Sequence, residues 1–388
     1  MRDRTAEGGD GEDPDAGFGL PGWIYRDAEF FAAETRRVMR PSWQVVCHVS
    51  DIPGTGDYHT LNFAGESIVV LRGEGGVIRA LSNVCRHRGA RILDEASGHV
   101  ERLTCPYHAW SYGLDGRLGG VPLRETYDAK ALDGVALPAI ESEVWRGFIF
   151  VRLESGGPSV AEMMAPYEAE VAPYRFEEMR ALGRVTLRPR TVNWKNIADN
   201  YSDGLHIRVA HPGLTRLFGR GYGVAADGQV DRMWGTLLER RSDNPSERMY
   251  QHILPEVTHL PESHRRLWLY FKLWPNVAFD IYPDQVDFMQ FLPVSPTETL
   301  IREIAYVLPD NRREMKAARY LNWRINRRVN AEDTVLVQRV QDGMASPNFT
   351  AGPLSRDEVC LRAFGKRVRE LIPEARLLAP PAPGWSRR

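Results

Sequence analysis

A run of twenty-four residues, CRHRGARILDEASGHVERLTCPYH from Cys85 to His108, limits what this chain can fold into more than any other feature. Its ligand-type residues follow the pattern Cys85-x-His87, seventeen residues, then Cys105-x2-His108. Thiolates and imidazoles gathered this closely imply a bound metal, either zinc or an iron–sulfur centre. Zinc is the commoner use of Cys/His pairs. Zinc fingers, however, usually keep Cys with Cys and His with His. Here each pair mixes the two and sits at a turn, in Cys-Arg-His-Arg-Gly and Cys-Pro-Tyr-His. Gly89 and Pro106 would let those turns close tightly, with Tyr107 and Trp110 placed to shield a metal from water.

The rest of the chain can bury an ample core. It has 388 residues, of which 43% are hydrophobic and 26% charged, so two or three domains are expected. A net charge of −1 gives no reason to expect nucleic acid or an anionic membrane as a partner. No apolar run is long enough to span a bilayer. The acidic, glycine-rich start reads as a disordered tail over residues 1–17, without the apolar core of a signal peptide. Cys47, Cys85, Cys105 and Cys360 are the only cysteines, which argues against a disulfide scaffold and for the reducing cytoplasm. Residues 18–42 are expected to hold a helix capped by Asp27 and stopped by Pro41, packing on the larger domain. Short β-rich runs divided by turns mark an all-β module over 43–158. Residues 159–388 mix strand-like runs with a strongly helical stretch from about Arg312 to Ala345, an α+β pattern.

A second cluster lies in NWKNIADNYSDGLHIRVAHPG. Asp203 and His206 stand at i, i+3 and are expected to share one helix face. His211 lies about 140° round from His206 on an ideal helix. Pro212 disfavours helical geometry at His211, so the helix should end there and let its ring swing back. Two histidines and a distant carboxylate make the facial triad of non-haem iron(II) oxygenases. In NRRVNAEDTVLVQRVQDGMAS, Asp333 has Val329, Leu336, Val337 and Val340 as helical neighbours. A lone carboxylate on an apolar stripe is costly unless paired or metal-bound, so Asp333 is the expected third ligand. Glu332 faces Arg328 and Arg339 and reads as part of a solvated ion pair.

The flanks CRHRGARIL and CPYHAWSYGLDGRL resemble a Rieske [2Fe–2S] domain, in which two thiolates hold one iron and two imidazoles the other. From about Leu20 onward the chain is similar to the catalytic subunit of Rieske non-haem iron oxygenases. That resemblance implies an α+β fold, an all-β Rieske [2Fe–2S] domain joined to a helix-grip (START/Bet v 1-like) catalytic domain with an antiparallel sheet. It implies Cys85, His87, Cys105 and His108 as cluster ligands, and His206, His211 and Asp333 as ligands of one Fe(II). Asp203 matches the carboxylate that links His108 of one subunit to His206 of the next, and Asn200 stands near the iron. One [2Fe–2S] cluster and one Fe(II) per subunit, with O2 as cosubstrate, would be arranged in a head-to-tail homotrimer. Only Cys47 and Cys360 remain for other uses, and no G-x-G-x-x-G follows a strand, so neither a plant-type ferredoxin nor a nucleotide domain is evident. Electrons from NAD(P)H would then arrive through a separate reductase, with or without a ferredoxin. Arg86, Arg88 and Arg91 could dock an acidic partner, although a solvated basic rim explains them equally well.

Within the family, CRHRGARIL, NWKNIADNYSDGLH and EDTVLVQRVQDGMASPNFTAGPLS look most similar to the quaternary-ammonium branch, the choline, betaine and carnitine monooxygenases. These oxidise carbon beside a cationic nitrogen, often with N-demethylation. A cage for such a cation needs aromatic side chains, and Tyr201, Trp234, Tyr270, Phe279, Tyr282 and Phe288 are the candidates. The same lining would suit an aromatic substrate, as in aromatic-hydrocarbon catabolism, which leaves ring hydroxylation or demethylation as the alternative. A Rieske electron carrier with a non-catalytic second domain is the rival from another class, and a zinc-binding interaction protein a third.

Overall fold

The computed structural model describes residues 17–387, so the expected tail lies outside the described residues except for Gly17. Helix α1 (Ala28–Glu34) starts where Asp27 Oδ1 accepts the Phe30 N–H at 2.7 Å, the cap its sequence suggested. One wider turn over residues 35–39 ends it just before Pro41.

Strands β1 (Gln44–His48), β2 (Asp57–Phe63), β3 (Glu66–Arg72) and β4 (Ile78–Ser82) follow. Ala64 and Gly65 join β2 to β3 with φ of 48° and 80°, the left-handed pair that a two-residue hairpin turn requires. Next come β5 (Ser97–His99), β6 (Leu103–Thr104), β7 (Ser111–Tyr112), β8 (Leu118–Gly120) and the short helix α2 (Ala129–Leu132). Strands β4-β3-β2-β5 form one antiparallel sheet and β6-β7-β8 another; one Cys/His loop follows β4 and the other joins β6 to β7. Strands β9 (Glu141–Trp145) and β10 (Phe148–Arg152) pair with β1 in a separate three-stranded sheet. A capping box between Ser159 and Glu162 then starts α3 (Val160–Met164), and α4 (Glu168–Val171) follows it.

The C-terminal half is built on one antiparallel sheet of eight strands. These are β11 (Arg180–Ala181), β12 (Thr186–Arg190), β13 (Gly223–Asp227), β14 (Val230–Thr236), β15 (Leu267–Leu273), β16 (Val277–Ile281), β17 (Val286–Ser295) and β18 (Glu298–Val307). They run in the order β11-β18-β17-β16-β15-β14-β13, with β12 also paired to β18. Five helices accompany the sheet: α5 (Trp194–Ser202), α6 (Ile207–Ala210), α7 (Pro212–Phe218), α8 (Pro245–Ile253) and the 32-residue α9 (Arg313–Met344). Helix α10 (Val359–Leu371) packs on β13 and α5.

Strands β15 and β16 are buried along their whole length because both faces of the sheet are covered. Alternation sorts their side chains. Leu269, Phe271, Phe279, Ile281 and Phe288 face β1 and β10, where Phe148 meets Phe279 at 5.0 Å between ring centroids. Each such ring, fully buried, contributes roughly 1.5–3 kcal/mol of hydrophobic stabilisation. Trp268, Tyr270, Tyr282, Met289 and Phe291 face the other way, toward α5, α6, α7 and α9. The strands expected as one module over 43–158 therefore divide their packing. Strands β2–β8 surround the ligand loops, and β1, β9 and β10 seal the back of the large sheet.

Candidate metal centres and substrate cavity

The two Cys/His loops share one backbone design. Cys85 N–H donates to Ala90 C=O at 2.9 Å, and Gly89 N–H to Cys85 C=O at 3.0 Å. Cys105 N–H donates to Trp110 C=O at 2.8 Å, and Ala109 N–H to Cys105 C=O at 3.0 Å. The residue that allows each closure is left-handed: Gly89 with φ of 75° and Ala109 with φ of 56°. Pro106 lies within the second turn, and Ala109 is the residue of that turn in the left-handed conformation. Cys85 and Cys105 are buried and unpaired. The rings of His87 and His108 lie 4.7 Å apart. His87 Nδ1 is buried without a hydrogen-bond partner, which leaves its lone pair available to a metal. These four donors fit a Rieske cluster.

Trp110 is buried and stacks on His87 at 4.8 Å, with the rings 8° from parallel. Tyr107 corrects the expectation of shielding: it is 56% exposed, beneath the guanidinium of Arg88. Tyr112 contacts the cluster loop instead, with its hydroxyl 3.3 Å from Cys85 Sγ while accepting the Arg86 N–H at 3.0 Å.

The second cluster forms where α5 stops. Asp203 has left the helix (ψ 119°), so the expected shared helix face with His206 does not exist. The contact comes from a turn. Asp203 Oδ1 accepts the Leu205 N–H at 2.7 Å, while Oδ2 takes the His206 N–H at 3.3 Å and lies 3.1 Å from His206 Nδ1. The chain breaks at His211, as Pro212 demands, and resumes with that proline in the first turn of α7. Asp333 arrives from α9. His211 Nε2 lies 3.1 Å from His206 Nε2 and 3.0 Å from Asp333 Oδ1, and the His206 Nε2 to Asp333 Oδ1 distance is 3.6 Å. Adjacent ligands on an octahedral ion with bonds of about 2.1 Å would stand ~3 Å apart, so these three atoms outline one face of such an ion.

The outer hydrogen bonds point the same way. His206 Nδ1 faces Asp203, and His211 Nδ1 faces Glu332 Oε2 at 2.9 Å. With each Nδ1 facing a carboxylate, both Nε2 atoms face one another and Asp333, an arrangement in which a divalent cation would satisfy all three. Glu332 is thus more than the solvated ion pair expected: it keeps its Arg328 contact at 3.2 Å and also orients His211. Asn200 Nδ2 donates to Asp333 Oδ1 at 3.2 Å. Burial alone would raise Asp333, but hydrogen bonds and charge from His206 and His211 outweigh it and bring the carboxyl down to about 2. Burial likewise opposes ionisation of Asp203, and bonds from His206 and Leu205 overcome it and lower its pKa.

A cavity of about 110 Å³ opens beside the triad. Tyr201, Tyr270 and Tyr282 line it, together with Tyr222, Asp280 and Asp287. Trp234, Phe279 and Phe288 do not. All three lie on the opposite face of the sheet: Phe279 and Phe288 are buried in the core against β1 and β10, and Trp234, in register with Leu269 on β15, packs partly buried against that core. Strand parity, not residue type, excludes them. Tyr201 donates to Asp280 Oδ1 at 2.5 Å and Tyr282 to Oδ2 at 3.4 Å. Burial pushes Asp280 up to about 6 despite those bonds. Burial, then the charges of Asp280 and Asp284, raise Asp287 well above the usual carboxylate range. Asp280 was legible in principle, being an acid inside the apolar run NVAFDIY, the same signal that singled out Asp333.

A Rieske loop pair ahead of a 2-His-1-carboxylate site held by helices packed on an antiparallel sheet defines the oxygenase class. The family model "Rieske [2Fe-2S] domain" matches residues 42–137, and "Ring hydroxylating alpha subunit (catalytic domain)" matches 176–374. The chain belongs to this family of ring-hydroxylating oxygenase alpha subunits, enzymes with a [2Fe–2S] cluster and a non-haem iron that use O2 and work with a reductase partner. It is 30% identical over 346 residues to the carnitine monooxygenase oxygenase subunit of Escherichia coli K12, covering 87% of each chain. It is 35% identical over 197 residues to the glycine betaine monooxygenase oxygenase subunit of Chromohalobacter salexigens, covering 50% of this chain and 43% of that one. The fold superimposes on the quaternary ammonium Rieske monooxygenase CntA with a TM-score of 0.78 at 24% identity, over 92% of this chain and 96% of the other. Among the described residues, no helix is long and apolar enough to cross a membrane.

Proposed function

We propose that this oxygenase acts on a quaternary ammonium compound, hydroxylating a carbon beside the cationic nitrogen and so removing it. The tyrosine-lined cavity with Asp280 and Asp287 in its wall carries this reading. A quaternary nitrogen has no N–H to donate, so aromatic faces and nearby negative charge must recognise it. Both Asp280 oxygens are already engaged by tyrosine hydroxyls, so that carboxylate offers charge rather than a free acceptor. A neutral aromatic substrate would leave the Asp280 carboxylate buried against its ring, a costly arrangement.

Cys85 and Cys105 would hold one iron of the cluster and His87 and His108 the other, with His206, His211 and Asp333 on the mononuclear iron. When bound, these centres supply single electrons and activate O2 for insertion into a C–H bond. The protein's own part is orientation. Asp203 and Glu332 hold the two Nδ1 protons, Asn200 steadies Asp333, and the tyrosines present an N-methyl group to the triad. Hydroxylation of that methyl gives a carbinolamine that releases formaldehyde and the demethylated amine, with one O2, two electrons and two protons consumed and one water formed.

The same reading includes a head-to-tail homotrimer, in which Asp203 would accept the partner subunit's His108. Half-buried Asp203 beside exposed Leu205 and Val209, with His108 at its own loop tip, supports that wiring. NAD(P)H as the electron source and cytoplasmic operation with four unpaired cysteines belong to it too. The domain limits that go with it are 18–42, 43–158 and 159–388.

The test is O2 uptake by the holoenzyme with a surrogate reductase, run side by side on methylammonium compounds and simple aromatic acids. The reading requires formaldehyde in step with O2 uptake from at least one methylammonium compound. Coupled product from the aromatic acids alone would overturn it.

A further inference from the structure

Resting on the reading of the cavity as a methylammonium site, we propose that the substrate also carries a carboxylate and that Arg190 is the residue that selects it. Arg190 ends β12, opposite Thr299 of β18, two residues after Arg188 and therefore on the same face. It lines the cavity that holds Asp280 and Asp287. The two arginines differ in their partners. Arg188 is paired with Glu303, whereas Arg190 donates only to the carbonyl of Pro189, at 3.0 Å, and has no carboxylate partner among the described residues. Burial lowers its pKa and no neighbouring acid offsets that. A half-buried guanidinium without an anion is an unfinished site, because its forked donors fit a carboxylate bidentately.

Its position sets the substrate's orientation. Next to it, Thr191 donates to Gln338 Oε1 at 2.8 Å and ties the end of β12 to α9. Gln338 is five residues beyond Asp333, about 7–8 Å along the helix. The end of β12 thus meets α9 about a turn and a half beyond Asp333, and the cavity wall holds tyrosines and acids together with Arg190, a cation without a carboxylate partner. Choline would satisfy the acidic end and leave Arg190 unmatched. An aromatic acid would do the reverse. A short zwitterion satisfies both, and its anchored carboxylate directs the N-methyl end to His206, His211 and Asp333.

The experiment is steady-state kinetics of the holoenzyme and its Arg190→Gln and Arg190→Lys variants, each checked for wild-type iron content. Carnitine and glycine betaine are the carboxylate probes, and choline the probe without one. For a carboxylate probe that turns over, Arg190→Gln should raise KM about ten- to a hundredfold with kcat little changed. The KM for choline should stay within twofold, and Arg190→Lys should recover part of the loss. An unchanged KM for the carboxylate probe, or an equal rise for choline, overturns the proposal. If the wild type oxidises no methylammonium compound, the reading of the cavity has failed instead. Arg190 is then tested by calorimetric titration with benzoate: weaker binding to Arg190→Gln keeps it as the anion anchor, and unchanged binding overturns that as well.

Discussion

His108 sits half-exposed at the tip of its loop beside Tyr107, whereas His211 is 1% exposed beneath α9 with both ring nitrogens engaged. The cluster loops reach the surface amid Arg86 and Arg88, and their design is local: two short turns with matching backbone bonds and a left-handed fifth residue. The mononuclear site is assembled from distant segments, two histidines from one break in a helix and a carboxylate over a hundred residues on. Its second-layer acids are buried or half-buried with it. An electron donor must come close to its acceptor, so one centre is kept near the surface. Oxygen chemistry must exclude water, so the other is covered. The contrast predicts that damage at the iron site spreads through its neighbours, while damage to its surroundings leaves the cluster intact.

The largest effect tests that separation. His211→Ala should abolish coupled turnover, a loss of at least about a thousandfold, while the visible spectrum of the Rieske cluster is retained. Loss of the spectrum as well would show that the two regions are not independent. Asp203→Asn comes next. It removes the anion facing His206 Nδ1, and product formation should fall about ten- to a hundredfold with both metals still bound. Single-turnover electron transfer from the reduced cluster reads it directly, and an unchanged rate would break the proposed wiring. Glu332→Gln should weaken iron retention by about tenfold and leave cluster content alone, as chelator titration would show.

The cavity wall sharpens the comparison through pH. Asp280, held at about 6, is neutral below that pH and anionic above it. KM for a methylammonium substrate should therefore fall as pH rises through about 6, and Asp280→Asn should flatten that step. A pH-independent KM in the native enzyme would remove Asp280 from recognition. The smallest effect on catalysis belongs to Phe279→Leu, on the reverse of the sheet. It should cost about 1 kcal/mol of stability, read as a lower Tm, with KM unchanged.

How much of this was legible follows from the same contrast. Cys85, His87, Cys105 and His108 occupy two contiguous motifs, so composition and spacing sufficed to single them out as candidate metal ligands, and their flanks carried the Rieske resemblance. The break at His211 was readable because Pro212 acts locally, and Asp333 because its neighbours on one helix are apolar. The cavity was harder. Tyr270 and Phe279 are equally buried aromatic strand residues, yet only strand pairing decides which of them faces the triad. The sequence around each does not reveal the parity. Glu332 was misjudged because an arginine four residues earlier gave it a sufficient local partner, while His211 approaches from across the fold. Asp203 and His206 meet as expected but through a turn, since the helix ends before the carboxylate.

The central claim is that one chain carries two distinct iron sites, one of them closed by Asp333. Quantifying iron and acid-labile sulfide per chain in the native protein and in Asp333→Ala tests this most directly. Three irons and two sulfides should fall to two irons and two sulfides in the variant, with the cluster's spectrum unaltered. Two irons in the native protein, or three retained in Asp333→Ala, would contradict it.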